Sequence, residues 1–394
     1  MYPTLSHFLK DVFGIDVPLP IQTYGLMFAL AFISGTLIFA AEYKRKEREG
    51  FLRTIKIKEI IGKPASIYLL FWTFLLSFIL GFKGIEAILN YSEFVDNPQA
   101  MILSTRGNFV WGLIIGVGFT IYTWWDKNRK KLKKPETIYV DTHPYQLVGS
   151  MLIFVGIWGL IGAKVFDVIQ PQNFQDFIKQ PIQSLLSFSG LTFYGGIISG
   201  FAAGVFYIKK YNINLLQSID SFAPAAALAY AVGRIGCQVS GDGCWGRINT
   251  APKPEWLNVV PNWAWSYDYP HNVIDAGKQI AGETGKFSHI LENPVFPTPF
   301  YETTIMFVVF IILWSLRKKI KLPGILFSMY LIFAGLERFF IEFIRVTNPY
   351  NILGLQLTQA QIISILMIIG GTAFITYIMF NKQKMIDLGT SKSV

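Results

Sequence analysis

A glycine-rich stretch in the second half of the chain carries residue types that bind anions. The sequence GRIGCQVSGDGCWGR, residues 233–247, follows the apolar run SFAPAAALAYAV and places Arg234 where that run ends. A guanidinium stays charged and binds phosphate through two parallel hydrogen bonds, a geometry that lysine does not offer. The glycines that follow (Gly236, Gly241 and Gly243) let a ligand approach backbone amides, which are further donors. The stretch therefore predicts a binding site for a phosphate group.

Further charged and phenolic residues lie in apolar segments, where a charge near a helix centre costs about 2.5–3.5 kcal/mol. Two arginines that face one cavity would hold one phospholipid headgroup by its phosphate. The alternative is that each arginine only reaches to the membrane surface, with Arg338 paired to Glu342 one helical turn away. Asp220 is expected at the opposite membrane face, at a helix start, where a carboxylate interacts well with the helix dipole. The groups predicted to share one depth are Tyr24, Tyr194, Arg234, Tyr301, Glu302, Arg338 and Glu342.

The apolar segments that must position these residues are long enough to cross a membrane. Of the 394 residues, 52% are hydrophobic and only 15% are charged, whereas soluble domains carry about 25% charged residues. A membrane-spanning helix needs about 20 residues. The sequence therefore predicts an all-α polytopic membrane protein with about nine transmembrane helices, at 22–41, 65–82, 109–125, 146–166, 191–208, 218–236, 299–316, 323–343 and 358–380.

Basic residues are concentrated in every second loop. The net charge is +10, and 23 of the 35 Lys and Arg residues lie in 42–64, 126–145, 209–217, 317–322 and 381–394. This positive-inside pattern predicts an extracytoplasmic N-terminus and a cytoplasmic C-terminus, which puts the residues near Arg234 toward the outer face. Because the charge follows the topology, no nucleic-acid partner is indicated.

The spans and loops divide the chain into five regions: 1–21, 22–246, 247–298, 299–380 and 381–394. The first lacks the basic start and apolar core of a cleaved signal peptide, so we expect an interfacial segment on the membrane surface. The third is rich in Trp, Tyr, Pro and Asn and is too long for a simple connector. It is either a small extracytoplasmic head or a purely structural lid, and the region 381–394 is a cytoplasmic tail.

Two stretches of the chain resemble each other. Residues 80–119 and 161–201 each have a Gly-x-Lys exit from one span, a polar loop of similar length and a Gly-aromatic entry to the next span. This similarity predicts that spans two and three duplicate spans four and five.

The sequence contains two cysteines, Cys237 and Cys244, both at the predicted outer face. Two thiols alone are too few ligands for a metal site, and the histidines lie elsewhere in the sequence, so no metal is expected. The cysteines either remain two small, partly packed thiols or close a short disulfide loop.

Five motifs, which occur along the chain in the order that the family has, resemble those of bacterial prolipoprotein diacylglyceryl transferases, and the resemblance extends over most of the chain. GRIGCQVSGDGCWGR resembles the family signature GRIGNFxNGExxGR, and DSFAPAAALAYAVGRIG (220–236) resembles the approach to it. TYGLMFAL (23–30) is similar to the YG element of the family's first span. The other similar elements are LTFYGG (191–196) to SFHGG, FPTPFYE (296–302) to HPSQLYE, and ERFFIEFIR (337–345) to FRFxxEFFR.

The resemblance implies a transferase that moves the diacylglyceryl group of phosphatidylglycerol to the lipobox cysteine of a lipoprotein precursor. The reaction would form a thioether and release glycerol phosphate at the outer face of the bacterial cytoplasmic (inner) membrane, without a cofactor. By position, Arg234 and Arg338 are expected to bind the phosphate, and Tyr194 is a candidate catalytic residue. The other positions expected at the substrates are Tyr24, Gly195, Asp242, Gly246, Glu302 and Glu342, with Glu342 orienting Arg338. The pair of spans at 65–125 is additional to the seven that are typical of the family.

The chain departs from the family pattern at several polar positions. Tyr194 stands where the family has the histidine that is proposed as general base, and a phenol with a pKa of about 10 is a poor base. Either cationic neighbours lower that pKa, or the thiol loses its proton to water or another group and Tyr194 positions substrate. Cys237, Ser240, Asp242 and Phe296 also replace family residues, so the polar surroundings of the lipid differ.

A secondary transporter of an anionic or phosphorylated solute is the alternative function, because the repeat and the charges inside spans also fit that class. Transporters, however, usually bind solute near the bilayer midplane. The charges here gather toward one face, which favours chemistry on a lipid. A structural scaffold would not explain the arginines.

Overall fold

The computed structural model describes all residues except 182, 183, 185–191, 348, 353 and 391–394, and it is mostly helical. Among the described helices, six are long and apolar enough to cross a membrane: Thr23–Arg48, Ile67–Leu89, Pro144–Ile169, Leu215–Ser240, Thr298–Leu316 and Gln359–Phe380. The chain is therefore a polytopic membrane protein. The helices are α1 (Leu5–Phe13), α2 (Thr23–Arg48), α3 (Ile67–Leu89), α4 (Tyr91–Asp96), α5 (Pro98–Leu103), α6 (Phe109–Arg129), α7 (Val148–Ile169), α8 (Pro171–Lys179), α9 (Phe193–Lys210), α10 (Leu215–Ser240), α11 (Thr298–Leu316), α12 (Ile325–Ile341), α13 (Gln359–Phe380) and α14 (Lys382–Thr390).

Each predicted span corresponds to one long helix. The predicted spans 109–125, 191–208 and 323–343 fall on α6, α9 and α12, which are shorter or less apolar than the six. Residue 191, where one of these spans was predicted to begin, lies outside the described residues. α2 continues to Arg48, well beyond the predicted end at residue 41, because its last turns carry charges that are paired within the protein.

α10 lies at the centre of the helix bundle, although its mean hydropathy of 1.2 is the lowest of the six. It packs along α2 and α11 and also contacts α12. Ala223, Ala227 and Ala231 on α10 are each 0% exposed. Small side chains allow membrane helices to approach closely. These alanines of α10 therefore contact other helices, whereas a helix on the outside of the bundle would need large apolar residues to contact lipid.

A polar network joins the helices where α2 ends. The Glu42 carboxylate, 1% exposed, accepts hydrogen bonds from Arg45 on its own helix and from Arg317, whose Nε lies 2.7 Å from Oε1. Lys46 Nζ donates to the Gln217 carbonyl at 2.7 Å. These contacts tie α2 to α10 and to the end of α11.

Asp220 caps a helix other than its own. Its carboxylate accepts hydrogen bonds from the backbone N–H groups of Gly324 at 2.7 Å and Phe327 at 2.9 Å. These donors belong to the start of α12, where N–H groups lack helical partners and the helix dipole favours negative charge. The expected carboxylate–dipole interaction is present, but it connects α10 to α12, the helix that carries Arg338.

The hairpins α3–α6 and α7–α9 are packed in the same register. A Cβ on Gly81 of α3 would lie 2.8 Å from the Trp111 carbonyl oxygen of α6. A Cβ on Gly162 of α7 would lie 2.7 Å from the Gly195 carbonyl oxygen of α9. The two glycines occupy equivalent positions in the similar stretches 80–119 and 161–201, so the hairpins share a close interhelical approach at that position.

A hydrogen bond is also repeated at the loop end of each hairpin. The Asn108 N–H donates to the Phe82 carbonyl at 2.9 Å, and the Thr192 N–H donates to the Ala163 carbonyl at 3.2 Å. The donors align with each other in sequence, as do the acceptors. This geometry supports the predicted duplication.

The α3–α6 hairpin is inserted between two paired strands, so the expectation of an all-α chain needs a correction. β1 (Ile55–Ile61) pairs antiparallel with β2 (Glu136–Thr142), and Ile61 lies opposite Glu136. The alternation of polar and apolar residues in IKIKEII was a strand signal within a segment interpreted only as a basic loop. Two smaller sheets pair β3 (Lys278–Gln279) with β4 (His289–Ile290) and β5 (Tyr350–Ile352) with β6 (Leu355–Leu357).

Residues 247–298 fold against the end of α10. Tyr269, 0% exposed, donates its hydroxyl to Gln238 Oε1 at 2.8 Å, and the Val273 N–H donates to the Ser240 carbonyl at 3.0 Å. Burial raises the pKa of the Tyr269 phenol, which keeps it a neutral donor. The segment therefore supports the residues that follow Arg234.

Candidate active site

Glu302 lies at the centre of a cluster of arginines. It sits in the first turns of α11 and is 0% exposed. Arg234, near the end of α10, places Nη2 3.0 Å from Oε1 and Nε 2.8 Å from Oε2. The first contact is an aligned hydrogen bond, whereas Oε2 has no aligned donor and its contact is an ion pair. Glu302 therefore holds the Arg234 guanidinium at two of its nitrogen atoms.

Two arginines from the end of α12 and the turn after it bind the same carboxylate. Arg338 Nη1 lies 3.3 Å and Arg345 Nη1 lies 3.5 Å from Glu302 Oε1. Arg338 Nη2 also lies 2.9 Å from Glu342 Oε2, one helical turn away. The structure thus brings together the two arginines and two glutamates singled out from the sequence. It adds Arg345, which the sequence interpretation did not assign.

The three guanidinium groups remain partly exposed and keep N–H donors with which they can bind a ligand. The side chains of Arg234, Arg338 and Arg345 are 17%, 28% and 18% exposed. The Nε atom of Arg345 is buried and has no hydrogen-bond partner. A buried charged donor without an acceptor is costly, and each guanidinium offers five N–H donors. An anion that enters the cluster would satisfy this donor.

Glycines allow the segments that carry the arginines to meet. Gly241 ends α10 with a φ of 65°, a left-handed conformation that glycine adopts without steric cost. Gly246 pairs with Arg345 in an antiparallel bridge, and a Cβ there would lie 2.5 Å from the Ile344 carbonyl oxygen. Gly246, expected at the substrate, thus has a steric role in placing Arg345.

Asp242, also expected at the substrate, closes its own turn. It lies in the signature loop, residues 241–247, where its Oδ1 accepts from the Cys244 N–H at 3.1 Å. The Cys244 carbonyl accepts from Thr298 Oγ1 at 2.8 Å and from Arg345 Nη1 at 3.4 Å. The loop is therefore tied to the start of α11 and to the third arginine.

The two expected tyrosines lie at the edge of the cluster. Tyr24, in the first turn of α2, is 42% exposed and interacts electrostatically with Arg234. Tyr194, in the first turn of α9, is half-buried and interacts electrostatically with Arg338 and Glu342. Both phenols therefore lie at the same end of the bundle as the arginines.

Gly195 lies in the contact between α7 and α9. It is buried, and a Cβ there would lie 2.5 Å from Phe166 Cβ and 2.6 Å from the Gly162 carbonyl oxygen. Its absence of a side chain lets the turn that carries Tyr194 approach α7. The glycine expected at the substrate thus positions its neighbour.

Glu337 is a further acidic residue beside the arginines. It is 5% exposed, its Oε1 has no hydrogen-bond partner, and it interacts electrostatically with Glu302 and the arginines. The family element FRFxxEFFR has phenylalanine at this position. An acidic residue inside an apolar span was the sequence signal, but its spacing did not show which groups it would face.

The model of the prolipoprotein diacylglyceryl transferase family matches residues 10–133 and 109–377, which together cover most of the chain. The chain belongs to this family. It is a membrane-embedded transferase of lipoprotein biosynthesis, which decides against the transporter and scaffold alternatives. The two matched segments overlap at 109–133, the region of α6, as expected when a hairpin of the family is present twice.

Several bacterial proteins named phosphatidylglycerol–prolipoprotein diacylglyceryl transferase are similar to this chain. The protein from Leptospira interrogans is 27% identical over 280 residues, which cover 64% of this chain and 77% of the relative. The one from Chlorobaculum tepidum is 28% identical over 233 residues, 55% of this chain and 70% of the relative. The one from Aeromonas hydrophila is 31% identical over 231 residues, 57% of this chain and 72% of the relative.

Proposed function

We propose that this transferase moves the diacylglyceryl group of phosphatidylglycerol to the lipobox cysteine of lipoprotein precursors at the cluster around Glu302. The observation that carries the proposal is the convergence on one buried carboxylate of Arg234 from α10 with Arg338 and Arg345 from the end of α12 and the turn after it. Such a group of fixed cations at one end of a membrane bundle suits an anionic glycerolipid better than a neutral one.

Phosphatidylglycerol enters with its phosphate toward the three guanidinium groups. Arg234 and Arg338 bind phosphate oxygens, and Arg345 contributes the Nε donor that Glu302 leaves unused. Glu302 holds the cations in place before the lipid arrives, so little reorganisation is needed on binding. Tyr24, at the exposed start of α2, contacts the headgroup or the acceptor peptide.

The chemistry is a displacement at carbon. The acceptor sulfur attacks the glyceryl carbon that carries the phosphate ester, a carbon–sulfur bond forms, and the carbon–oxygen bond breaks. Glycerol phosphate leaves with the bonding electron pair, and negative charge grows on its phosphate. Guanidinium groups already aimed at that phosphate stabilise the transition state more than the bound substrate, which is the condition for catalysis.

The thiol proton leaves to water or to another group rather than to Tyr194. A phenol has a pKa of about 10, far above neutral pH, and the phenol of Tyr194 lies near the carboxylate of Glu342 as well as the cation of Arg338. Tyr194 therefore acts as a hydrogen-bonding residue that positions substrate. The cationic cluster favours the thiolate form of the acceptor, which is the nucleophile.

The site lies at the outer face of the bacterial inner membrane, with an extracytoplasmic N-terminus and a cytoplasmic C-terminus. Nine of the described helices cross the membrane in this arrangement, the six of sufficient apolar length together with α6, α9 and α12. The basic loops at 42–64 and 126–145 then lie in the cytoplasm, as the positive-inside rule requires. Residues 247–298 form a head outside the membrane that supports the signature loop.

Reconstituted liposomes test the proposal directly. Protein in liposomes with labelled phosphatidylglycerol and a lipobox peptide should yield a thioether-linked diacylglyceryl peptide, detected by mass spectrometry. Arg234→Ala should lower kcat/KM by about 10²-fold or more while membrane insertion stays intact. Folded protein that yields no product would contradict the proposed function, and wild-type turnover in the variant would contradict the role of Arg234.

A further inference from the structure

We propose that Cys237 and Cys244 form an intramolecular disulfide that closes the signature loop beside the arginine cluster. The inference rests on the orientation in the proposed function, which places both cysteines on the extracytoplasmic side. The pair would be a modification site of the protein itself, directly beside the proposed lipid site.

The two thiols are close enough to bond after a small side-chain movement. The sulfur atoms of Cys237 and Cys244 and a carboxylate oxygen of Asp242 all lie within 4.8 Å of one another. The sulfurs are not bonded to each other in the structure, and a disulfide needs a separation of about 2.05 Å. Because the chain contains two cysteines, each is the other's only intramolecular partner.

The surroundings favour reaction at Cys244. The neighbouring Cys237 thiol lowers the pKa of the Cys244 thiol, and the Asp242 carboxylate, which accepts a hydrogen bond from Cys244 Sγ at 3.4 Å, acts in the opposite direction. The thiolate is the form that attacks disulfides. Cys244 is half-buried whereas Cys237 is 6% exposed, so Cys244 is the thiol that an oxidant reaches first.

The oxidation proceeds by exchange with an extracytoplasmic thiol oxidoreductase in its disulfide form. Cys244 attacks one sulfur of that disulfide, a mixed disulfide forms, and the second oxidoreductase sulfur leaves as a thiolate. Cys237 then attacks Cys244 Sγ and displaces the first oxidoreductase sulfur. The two cysteines lose two electrons and two protons, and the oxidoreductase gains them as a dithiol. Disulfides persist in this compartment.

The same three side chains could instead ligate a soft metal, but the neighbouring arginine opposes it. Arg234 Nη1 lies 3.7 Å from Cys237 Sγ, so a bound dication would face a fixed cation. A structural zinc site takes four ligands, and this cluster supplies three. The geometry favours the disulfide.

The disulfide would protect the enzyme from its own substrate. Cys237 Sγ contacts Arg234, the residue that binds the lipid phosphate in the proposed function. A free thiol there is a nucleophile near the reacting glyceryl carbon, and its attack would leave a stable thioether on the enzyme. Oxidation removes both competing nucleophiles and leaves the acceptor cysteine as the thiol at the site.

Trapping thiols in membranes tests for the bond without any transfer reaction. Membranes are treated with excess maleimide, and the purified protein is denatured with maleimide still present before its intact mass is measured. We expect no maleimide adduct before reduction and two adducts after reduction and a second labelling. Two adducts before reduction, or one zinc per chain that protects both thiols until a chelator is added, would overturn the proposal. The double variant Cys237→Ser with Cys244→Ser controls for reaction elsewhere.

Lipid exposure then tests the protective role. The variant Cys244→Ser, in which Cys237 remains a thiol, is incubated with phosphatidylglycerol but no peptide, beside the double variant. A diacylglyceryl adduct on the single variant only is expected, and the absence of any adduct on it would contradict protection. The thiol-trapping measurement uses protein without substrates. If a disulfide is found in protein that fails to transfer lipid, the proposed function is refuted but this inference is not.

Discussion

Glu302 converts three separate arginines into one preorganised group. A free guanidinium side chain loses conformational freedom when it binds phosphate, whereas one held by a carboxylate has already lost it. Arg345 was not assigned from the sequence because it follows the last residue of the predicted span 323–343. The turn Glu342–Ile344 after α12 brings it back to Glu302, and that turn could not be foreseen from hydropathy.

Replacing Arg345 tests whether the third cation takes part. Arg345→Gln should lower kcat/KM by about 10-fold to 10²-fold, because a charged hydrogen bond to the phosphate contributes about 1.5–3 kcal/mol. Arg247→Gln is the matched control, since Arg247 lies in the signature loop with an exposed side chain. The transfer assay in liposomes measures both. Equal activity of the two variants would remove Arg345 from the site.

The Tyr194→Phe variant distinguishes a positioning residue from a base. Loss of one hydroxyl that positions substrate should lower kcat/KM by about tenfold. Loss of a general base should lower it by about 10²–10⁴-fold. We expect the smaller effect, with an unchanged pH profile of kcat/KM; a large loss together with a shifted profile would show that Tyr194 accepts the proton.

At the scale of helices, close packing through small residues explains why a helix at the centre of the bundle can have a low mean hydropathy. α10 is the least apolar of the six long helices because its alanines face other helices. The same principle sets the α7–α9 contact, where Gly162 and Gly195 meet and the turn with Tyr194 follows. Positions that the family motif marks as important can therefore act through packing rather than through contact with the lipid.

A single methyl group at the α7–α9 contact should destabilise the protein. A Cβ on Gly162 would clash with Ser199 Oγ and lie 2.7 Å from the Gly195 carbonyl oxygen, so Gly162→Ala requires the helices to separate. Overpacking of this kind costs about 1–3 kcal/mol. Gly156→Ala on the same helix is the matched control, because a Cβ there meets nothing within 4 Å. Thermal unfolding in detergent should show a lower Tm for Gly162→Ala alone; equal Tm values would contradict the tight contact.

At the scale of the whole molecule, the extra hairpin α3–α6 copies the packing of α7–α9 without its site residues. In the aligned stretches Val110 stands where α9 has Tyr194, and Trp111 stands where α9 has Gly195. The two helices pack along each other, and β1 and β2 join them to the bundle. The extra hairpin therefore keeps the packing of α7–α9 but has other residues at the two positions that the proposed function uses.

Removing the copy should leave the transferase active. Ile61 lies opposite Glu136, so replacing residues 62–135 by Asn-Gly would join β1 and β2 in a two-residue hairpin. Deleting two spans leaves the orientation of all later helices unchanged. We expect kcat/KM within about tenfold of the full chain in the liposome assay. A folded deletion variant without activity would show that the hairpin takes part in the site.

The sequence allowed the long helices to be located, because apolar length is a local property of the chain. The shared depth of Arg234, Arg338 and Glu302 could also be predicted, since it follows from span boundaries and loop charges. The partner of each group could not be predicted, because it depends on how helices dock. Asp220 caps α12 through Gly324, a contact between residues 104 positions apart.

The most direct test of the central claim is a cryo-electron microscopy map of the protein in nanodiscs with phosphatidylglycerol. The account predicts a lipid phosphate within hydrogen-bond distance, about 2.7–3.2 Å, of at least two of the guanidinium groups of Arg234, Arg338 and Arg345. A map in which the phosphate lies elsewhere, while the arginines contact only Glu302 and Glu342, would contradict it.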